Sequence, residues 1–341
     1  MENQIVEWIS SGSSSVIHSL VKLPGDASSR KYYRARFAAP MANSGATSFI
    51  VMRTDPFLDH GLELPFLVVR QHLEASGVKV PAVYDVDPAR GLILLEDLGD
   101  VTLLRLLQGC ASAEDERHYY ERVIDSLVQM QVFGGPSEGR KPIDAFKLSF
   151  DLEKLMWEVH FTIEHFYESY LGRKIDSAHR RVLEDGFTEI CERLAQEPKV
   201  LTHRDFHSRN VMVLSDSEYV MIDFQDARMG PAQYDLVSLL KDSYYQIEEA
   251  QISRLVDYYI ARYEALSRKK IDRHRFIEIF DLMAVQRNFK AIGSFASFLN
   301  KRGDATYLKY IGNTFENIRR TLLKYPQYAA LREALFHYYY F

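Results

Sequence analysis

The spacing of apolar and polar positions changes character once along the chain. Up to about residue 100 the apolar runs are short and partly alternating, as in strands, and beyond it they recur at three and four, as in helices. Ser15–Leu23 and Lys31–Phe37 flank the turn-like stretch LPGDASSR, and Thr47–Met52 (TSFIVM) is a third strand. Leu64, Leu67, Val68, Gln71, His72 and Ala75 then predict a helix that stops at Ser76-Gly77. KVPAVYDV and GLILLEDLG, beginning at Lys79 and Gly91, read as two more strands. Five strands with one helix after the third make a small sheet lobe.

From about Val101 onward helices dominate. Ala113–Phe133 is strongly periodic, with Ser112 placed as its N-cap. Phe150–Tyr170, Ser177–Ala195, Pro231–Tyr245, Ile247–Leu266 and Asp272–Leu299 follow, and Gly134-Gly135-Pro136-Ser137 is a turn or short linker. Only Val200–Leu201, Asn210–Leu214 and Tyr219–Phe224 interrupt them, as short strands. There is no repeat and no low-complexity segment. The pattern predicts an α+β protein: a β-rich lobe, an extended apolar segment, then a helical lobe carrying a small sheet insert.

Composition changes this picture little. A chain of 341 residues suggests about two domains, and 47% hydrophobic with 26% charged residues is ordinary globular usage. A net charge of -5 gives no reason to expect a nucleic-acid or anionic-membrane partner. Cys110 and Cys191 are too few for a disulfide framework and fit a reducing cytosol. MENQIVEWIS lacks the basic start and apolar core of a signal peptide, and no run of 18 apolar residues predicts a membrane span. The expected location is cytoplasmic. The 21 Tyr and 20 Phe, many at helical spacing in the last hundred residues, read as core packing.

The chemistry concentrates in HRDFHSRN, residues 203 to 210, set between two apolar runs. His203, Asp205 and His207 form H-x-D-x-H, a possible metal-ligand cluster, but the other histidines are scattered and supply no second group of ligands. Asp205 and Asn210 alternatively read as the D-x-x-x-x-N of a phosphoryl-transfer loop, with a base for a hydroxyl proton and an amide oxygen for magnesium. A second acidic ligand is then needed, and YVMIDF supplies Asp223 at the end of an apolar run. Between Asn210 and Asp223 lies one hairpin, Val211–Leu214 and Glu218–Ile222 turning at Ser215-Asp216-Ser217. A hairpin brings its ends together, so these two residues become neighbours.

HRDFHSRN together with MIDFQDARMGPAQYDL resembles the aminoglycoside phosphotransferase and choline kinase family, over most of the chain. GDASSRKYYR, LLEDLGD, YDLVSLL and VQRNFKAIGSFASFL are similar to the branch containing bacterial cell-wall-recycling kinases of N-acetylmuramate and N-acetylglucosamine. The resemblance implies a bilobal protein-kinase-like fold, a nucleotide-binding lobe at 1–98 and a helical lobe with catalytic loop and acceptor site at 99–341. It implies ATP and Mg2+ as cofactors, Asp205 as catalytic base, Asn210 and Asp223 as magnesium ligands, His203 as a brace and Asp235 as an anchor of the loop. Ser28 and Ser29 fall in the phosphate-covering loop, which has a single Gly, and Glu96 to Leu98 fall at the hinge, whose backbone would meet adenine. The usual third-strand lysine is missing: FIVMRTD offers only Arg53, and where its helix partner is expected the inner face carries Phe66, with Glu63 near the helix start.

For the acceptor the candidates are His207, Arg209, Gln225, Asp226, Gln286, Arg287 and Lys290. They are mostly basic or amide, which suits a neutral or carboxylate-bearing sugar better than a polycationic aminoglycoside. The expected activity is transfer of the γ-phosphate of ATP to the anomeric hydroxyl of N-acetylmuramate or N-acetylglucosamine. The rivals are an aminoglycoside- or choline-type phosphotransferase and a non-catalytic nucleotide-binding module. A protein kinase is disfavoured, because neither D-F-G nor A-P-E occurs.

Overall fold

Strand alternation sorts the first lobe into two faces, and each face recruits its own helix. A computed structural model describes residues 2–12, 16–24, 30–41, 45–57 and 64–339; Ser28, Ser29 and Glu63 lie outside them. Strands β1 (Ile17–Lys22), β2 (Lys31–Phe37), β3 (Ser48–Arg53), β4 (Val83–Asp87) and β5 (Leu92–Glu96) form an antiparallel sheet in the order β1-β2-β3-β5-β4. Helix α1 (Glu2–Gly12) buries Ile5, Trp8 and Ile9 on one face, against Tyr33, Ala35, Phe37, Phe49, Val51, Leu92 and Leu94. Helix α2 (Pro65–Ala75) covers the other face, with Ile50, Met52, Ile93 and Leu95 beneath it. Proline is suited to the first turn of α2, where its missing N–H has no partner to lose.

The five strands and α2 follow the sequence pattern; α1 was not expected. Its Ile5, Trp8 and Ile9 have helical spacing, but the signal spans little more than one turn.

The remainder is mostly helical: α3 (Leu103–Gln108), α4 (Ala113–Phe133), α5 (Leu152–Thr162), α6 (Ser177–Ala195), α7 (Gln233–Leu240), α8 (Glu249–Ser267), α9 (Arg273–Arg302), α10 (Ile311–Leu322) and α11 (Ala329–His337). Ser112 caps α4 by accepting the Asp115 N–H at 3.1 Å. The expected helix at 150–170 divides into α5 and a π-helical turn over Ile163–Tyr170. Beside that junction α9 crosses so closely that a Cβ on Gly293 would lie 2.4 Å from Thr162 Oγ1. The crossing fixes the face of α9 that carries Arg287 and Lys290.

Two small sheets interrupt the helices. Strands β6 (Lys199–Thr202) and β9 (Arg228–Pro231) pair, and β7 (Val211–Ser215) and β8 (Glu218–Met221) form the expected hairpin. β9 and helices α3, α10 and α11 were not read from the sequence; α3 stands at the start of the helical lobe, where an extended apolar segment was expected. The helix expected from Pro231 to Tyr245 is shorter, because Pro231 ends β9 and Asp242 turns its carboxylate back onto the Tyr244 N–H at 2.9 Å. Among the described residues no helix is long and apolar enough to cross a membrane.

Candidate active site

The β7–β8 hairpin is the platform of the site. Val211 pairs with Met221 and Met212 with Val220, and the Ile222 N–H donates to the Asn210 carbonyl at 3.0 Å. Asn210 and Asp223 therefore sit side by side at the open end. The hairpin is tied to the first lobe and to the segment that leaves it: Met221 N–H donates to Lys79 O at 3.0 Å, and Val213 N–H to Val101 O at 2.8 Å. Met212 and Val220 pack with Leu98 and Ile222 into an apolar patch just beyond the end of β5. Glu96 accepts the Ala82 N–H on its side chain at 3.1 Å and so stays on the sheet.

The loop of residues 203–210 is held by buried carboxylates. Asp235, wholly buried on α7, accepts the backbone N–H groups of His203 at 2.6 Å and Arg204 at 3.0 Å. Burial pushes its carboxyl up to about 7, and the two N–H donors pull the other way. A second anchor, Asp242, was missed from sequence: it accepts the Ser208 N–H at 3.0 Å and hydroxyl at 2.5 Å. Burial raises its pKa as well. His203 is wholly buried, donates from Nε2 to the Ile222 carbonyl at 2.9 Å, and is kept neutral by its burial. It links the loop to the strand end that carries Asp223.

Among the described residues three non-glycines have left-handed backbone; Arg268 ends α8, and the other two lie in the site, Arg204 at φ 79° and Asp223 at φ 65°. Each such residue costs about 1–2 kcal/mol. The Asp235 anchor offsets the cost at Arg204, and the two acids beside and at the bends in the site, Asp205 and Asp223, are both close enough to act on the buried His203.

Asp205 is partly exposed. Its partial burial works against its charge, but Lys290, Arg204, His207 and Arg287 together hold its carboxyl well below the usual range. Lys290 Nζ is 3.7 Å from Asp205 Oδ1, and burial lowers the pKa of that lysine. His207 is depressed to about 3 by burial, with Arg287 and Arg209 acting in the same direction, so it is neutral at physiological pH.

The residues fit a magnesium ion held from two sides. The Asn210 amide nitrogen donates to the Asp205 carbonyl at 2.9 Å, which leaves its oxygen as the outward acceptor. Asp223 is half-exposed and receives the Gln225 amide at 2.9 Å. One carboxylate plus one amide, completed by phosphate and water, is ordinary magnesium ligation. The H-x-D-x-H alternative finds no geometry: His203 is spent on Ile222, and among the described residues no three His, Cys, Asp or Glu side chains gather around a metal position.

The remaining candidates divide. Arg209 lies over the rings of Tyr244 at 5.0 Å and Tyr307 at 5.6 Å, and His207 meets Tyr244 edge-on. Asp226 pairs with Arg204 at 3.3 Å. Arg287 is buried and donates to Ser238 Oγ at 2.7 Å. Gln286, expected to share an acceptor face with Lys290, is wholly buried and points to α5, where its amide reaches Leu155 O at 3.3 Å and Glu158 at 3.2 Å. It packs behind the site because α9 is pressed against α5 there. Phe66 of α2 stacks on Phe224 at 5.2 Å, so an aromatic contact joins the two lobes beside Asp223.

Residues 19–276 match the phosphotransferase enzyme family. The chain is 30% identical to the N-acetylmuramate/N-acetylglucosamine kinase of Pseudomonas putida, with 93% of this chain and 87% of that protein covered. It is 31% identical to the protein of the same description from Neisseria meningitidis, with 90% and 86% covered. An aminoglycoside phosphotransferase in ternary complex with ADP and hygromycin B has a similar fold, with a TM-score of 0.56, 13% identity, and 93% of this chain and 98% of that one covered. The family match runs from β1 into the first turn of α9 and so takes in both lobes. The chain belongs to the phosphotransferase enzyme family and is an enzyme that transfers phosphate to a hydroxyl acceptor.

Proposed function

We propose that the enzyme is an ATP- and magnesium-dependent kinase that phosphorylates N-acetylmuramate and N-acetylglucosamine at the anomeric hydroxyl. The observation that carries this reading is the meeting of Asp205, Asn210 and Asp223 at one hairpin end, in a chain whose relatives bear the names of amino-sugar kinases. The ADP bound by the aminoglycoside phosphotransferase supports an adenine nucleotide. The patch of Leu98, Met212, Val220 and Ile222 offers a base an apolar surface next to the hinge.

Asn210 and Asp223 would hold magnesium, which offsets charge on the transferring phosphates. Asp205 orients the acceptor hydroxyl and takes its proton. The neighbouring cations keep this carboxylate ionised, which makes it a weak base. An anomeric hydroxyl suits a weak base, because the ring oxygen withdraws charge from the same carbon and makes that proton more acidic.

Around Asp205 stand Lys290, Arg204 and Arg287, with Arg209 farther along the loop. This collar favours a lactyl carboxylate or an acetamido oxygen and repels a polycation. The test is incubation with Mg-ATP and N-acetylglucosamine, N-acetylmuramate, choline or kanamycin, with the phosphate located by ³¹P and ¹H NMR. A sugar 1-phosphate is expected. Phosphate on kanamycin or choline, with neither amino sugar touched, would overturn the reading.

A further inference from the structure

A nucleotide site needs a cation for the phosphates, and the third strand offers only Arg53. The faces of the sheet argue against it. Successive side chains of a strand point to opposite sides. On β3, Phe49 and Val51 face α1, while Ile50 and Met52 face α2 and the large core shared with the helical lobe. Arg53 continues the parity of Phe49 and Val51 and falls on the α1 side, away from the cleft.

The neighbouring strand has the opposite arrangement of charge. On β2, Tyr33, Ala35 and Phe37 take the α1 face. Tyr32 and Arg34 take the cleft face, and Arg30, just before the strand, has their parity. Arg34 reaches the hinge, pairing with Asp97 at 2.8 Å and Asp100 at 2.9 Å. Arg30 reaches across to the helical lobe, where its guanidinium is 3.7 Å from Asp223 Oδ1. Tyr32 sits between them; its burial raises its pKa, and Arg30 and Asp223 are close enough to act on it. From Arg34 to Arg30 is four residues of strand, ~13 Å. The row thus runs from the hinge, where a base would lie, to the carboxylate where a metal and phosphates would lie.

We propose that Arg30, and not Arg53, is the cation that binds the phosphates of the nucleotide. The inference rests on the kinase reading above. Without nucleotide, Arg30 offsets the Asp223 carboxylate across the two lobes. When a nucleoside polyphosphate enters, the phosphate oxygens take over Arg30 and Asp223 is left to the metal. Arginine is suited to the exchange, since its fork accepts a carboxylate or a phosphate with the same donors.

The test is isothermal titration calorimetry of ADP and of adenosine on the full chain, with wild type, Arg30→Gln, Arg30→Lys and Arg53→Gln. Thermal melting of each variant serves as the folding control. Arg30→Gln is expected to weaken ADP roughly 10- to 100-fold, the size of a lost charge-assisted hydrogen bond, and to leave adenosine unchanged. Arg30→Lys should recover part of the loss, and Arg53→Gln should match wild type. Equal losses for ADP and adenosine, or a loss in Arg53→Gln with none in Arg30→Gln, would overturn the inference while leaving the kinase reading intact. A wild-type protein that binds neither ligand would remove both.

Discussion

The two sides of the cleft hold their charged side chains in opposite ways. In the helical lobe the loop that carries Asp205 hangs from buried carboxylates: Asp235 takes two backbone N–H groups, and Asp242 takes the N–H and hydroxyl of Ser208. In the sheet lobe the cations lie on one face along β2: Arg34 is held by the nearly buried Asp97 and by Asp100, while Arg30, just before the strand, pairs with the half-exposed Asp223. The first arrangement is rigid, because releasing either anchor leaves buried donors without partners. The Arg30–Asp223 pair is the one open to exchange, because a long ion pair in contact with solvent is worth little on its own. The loop that carries Asp205 is thus fixed within one lobe, whereas the contact that the proposed nucleotide would displace bridges the two.

The largest effect should come from the rigid side. Asp205→Asn is expected to lower kcat by roughly 10²–10⁴, the span of a lost general base, while ADP affinity by calorimetry stays near wild type. Comparable kcat in a folded variant would remove Asp205 from the chemistry.

Next comes the anchor. Asp235→Ala strands the N–H groups of His203 and Arg204, each costing about 1–3 kcal/mol, and releases the left-handed bend at Arg204. Urea unfolding should show the loss, and kcat should fall even where the variant is fully folded. Asp235 also gives a pH signature. Its carboxyl rises from 3.8 unfolded to about 7 folded, so the folded state binds its proton more tightly. Its contribution is complete below about pH 4 and is lost as pH rises towards 7. The stability of wild type relative to Asp235→Asn should therefore decline across that window, and a rising difference would mean that the carboxyl is not held up by burial.

A smaller effect is expected at Lys290, which stands 3.7 Å from Asp205. Lys290→Met removes a cation that lowers the pKa of the base, so the acid limb of the kcat/KM profile should move to higher pH. An unmoved limb would show that Lys290 does not act on Asp205. The smallest effect belongs to Arg53→Gln on the α1 face, where stability should change by less than about 0.5 kcal/mol.

What the sequence made legible follows the same division. The hairpin from Val211 to Met221 and α4 with its Ser112 cap lie in continuous stretches whose spacing carries their geometry, whereas the Asp235 anchor, which acts on His203 32 residues away, was legible only through the family resemblance. Arg30 and Asp242 were not visible in that way. The place of Arg30 depends on the parity of β2 and on the approach of the other lobe, and Asp242 acts on Ser208, 34 residues away in the chain. Gln286 shows the reverse failure: helical spacing identified a face, but the pressing of α9 on α5 buried its nearer end. Helix α1 escaped because its signal is three apolar residues in one short segment.

The account depends most directly on Asn210 and Asp223 acting together as the metal-holding end of the hairpin. The measurement is the gain in ADP affinity caused by magnesium, taken by calorimetry in wild type, Asp223→Ala and Asn210→Ala. Wild type should show a clear gain, Asp223→Ala should lose it, and Asn210→Ala should lose part of it, because a neutral amide exerts a weaker field than a carboxylate. An unchanged gain in both variants would contradict the account.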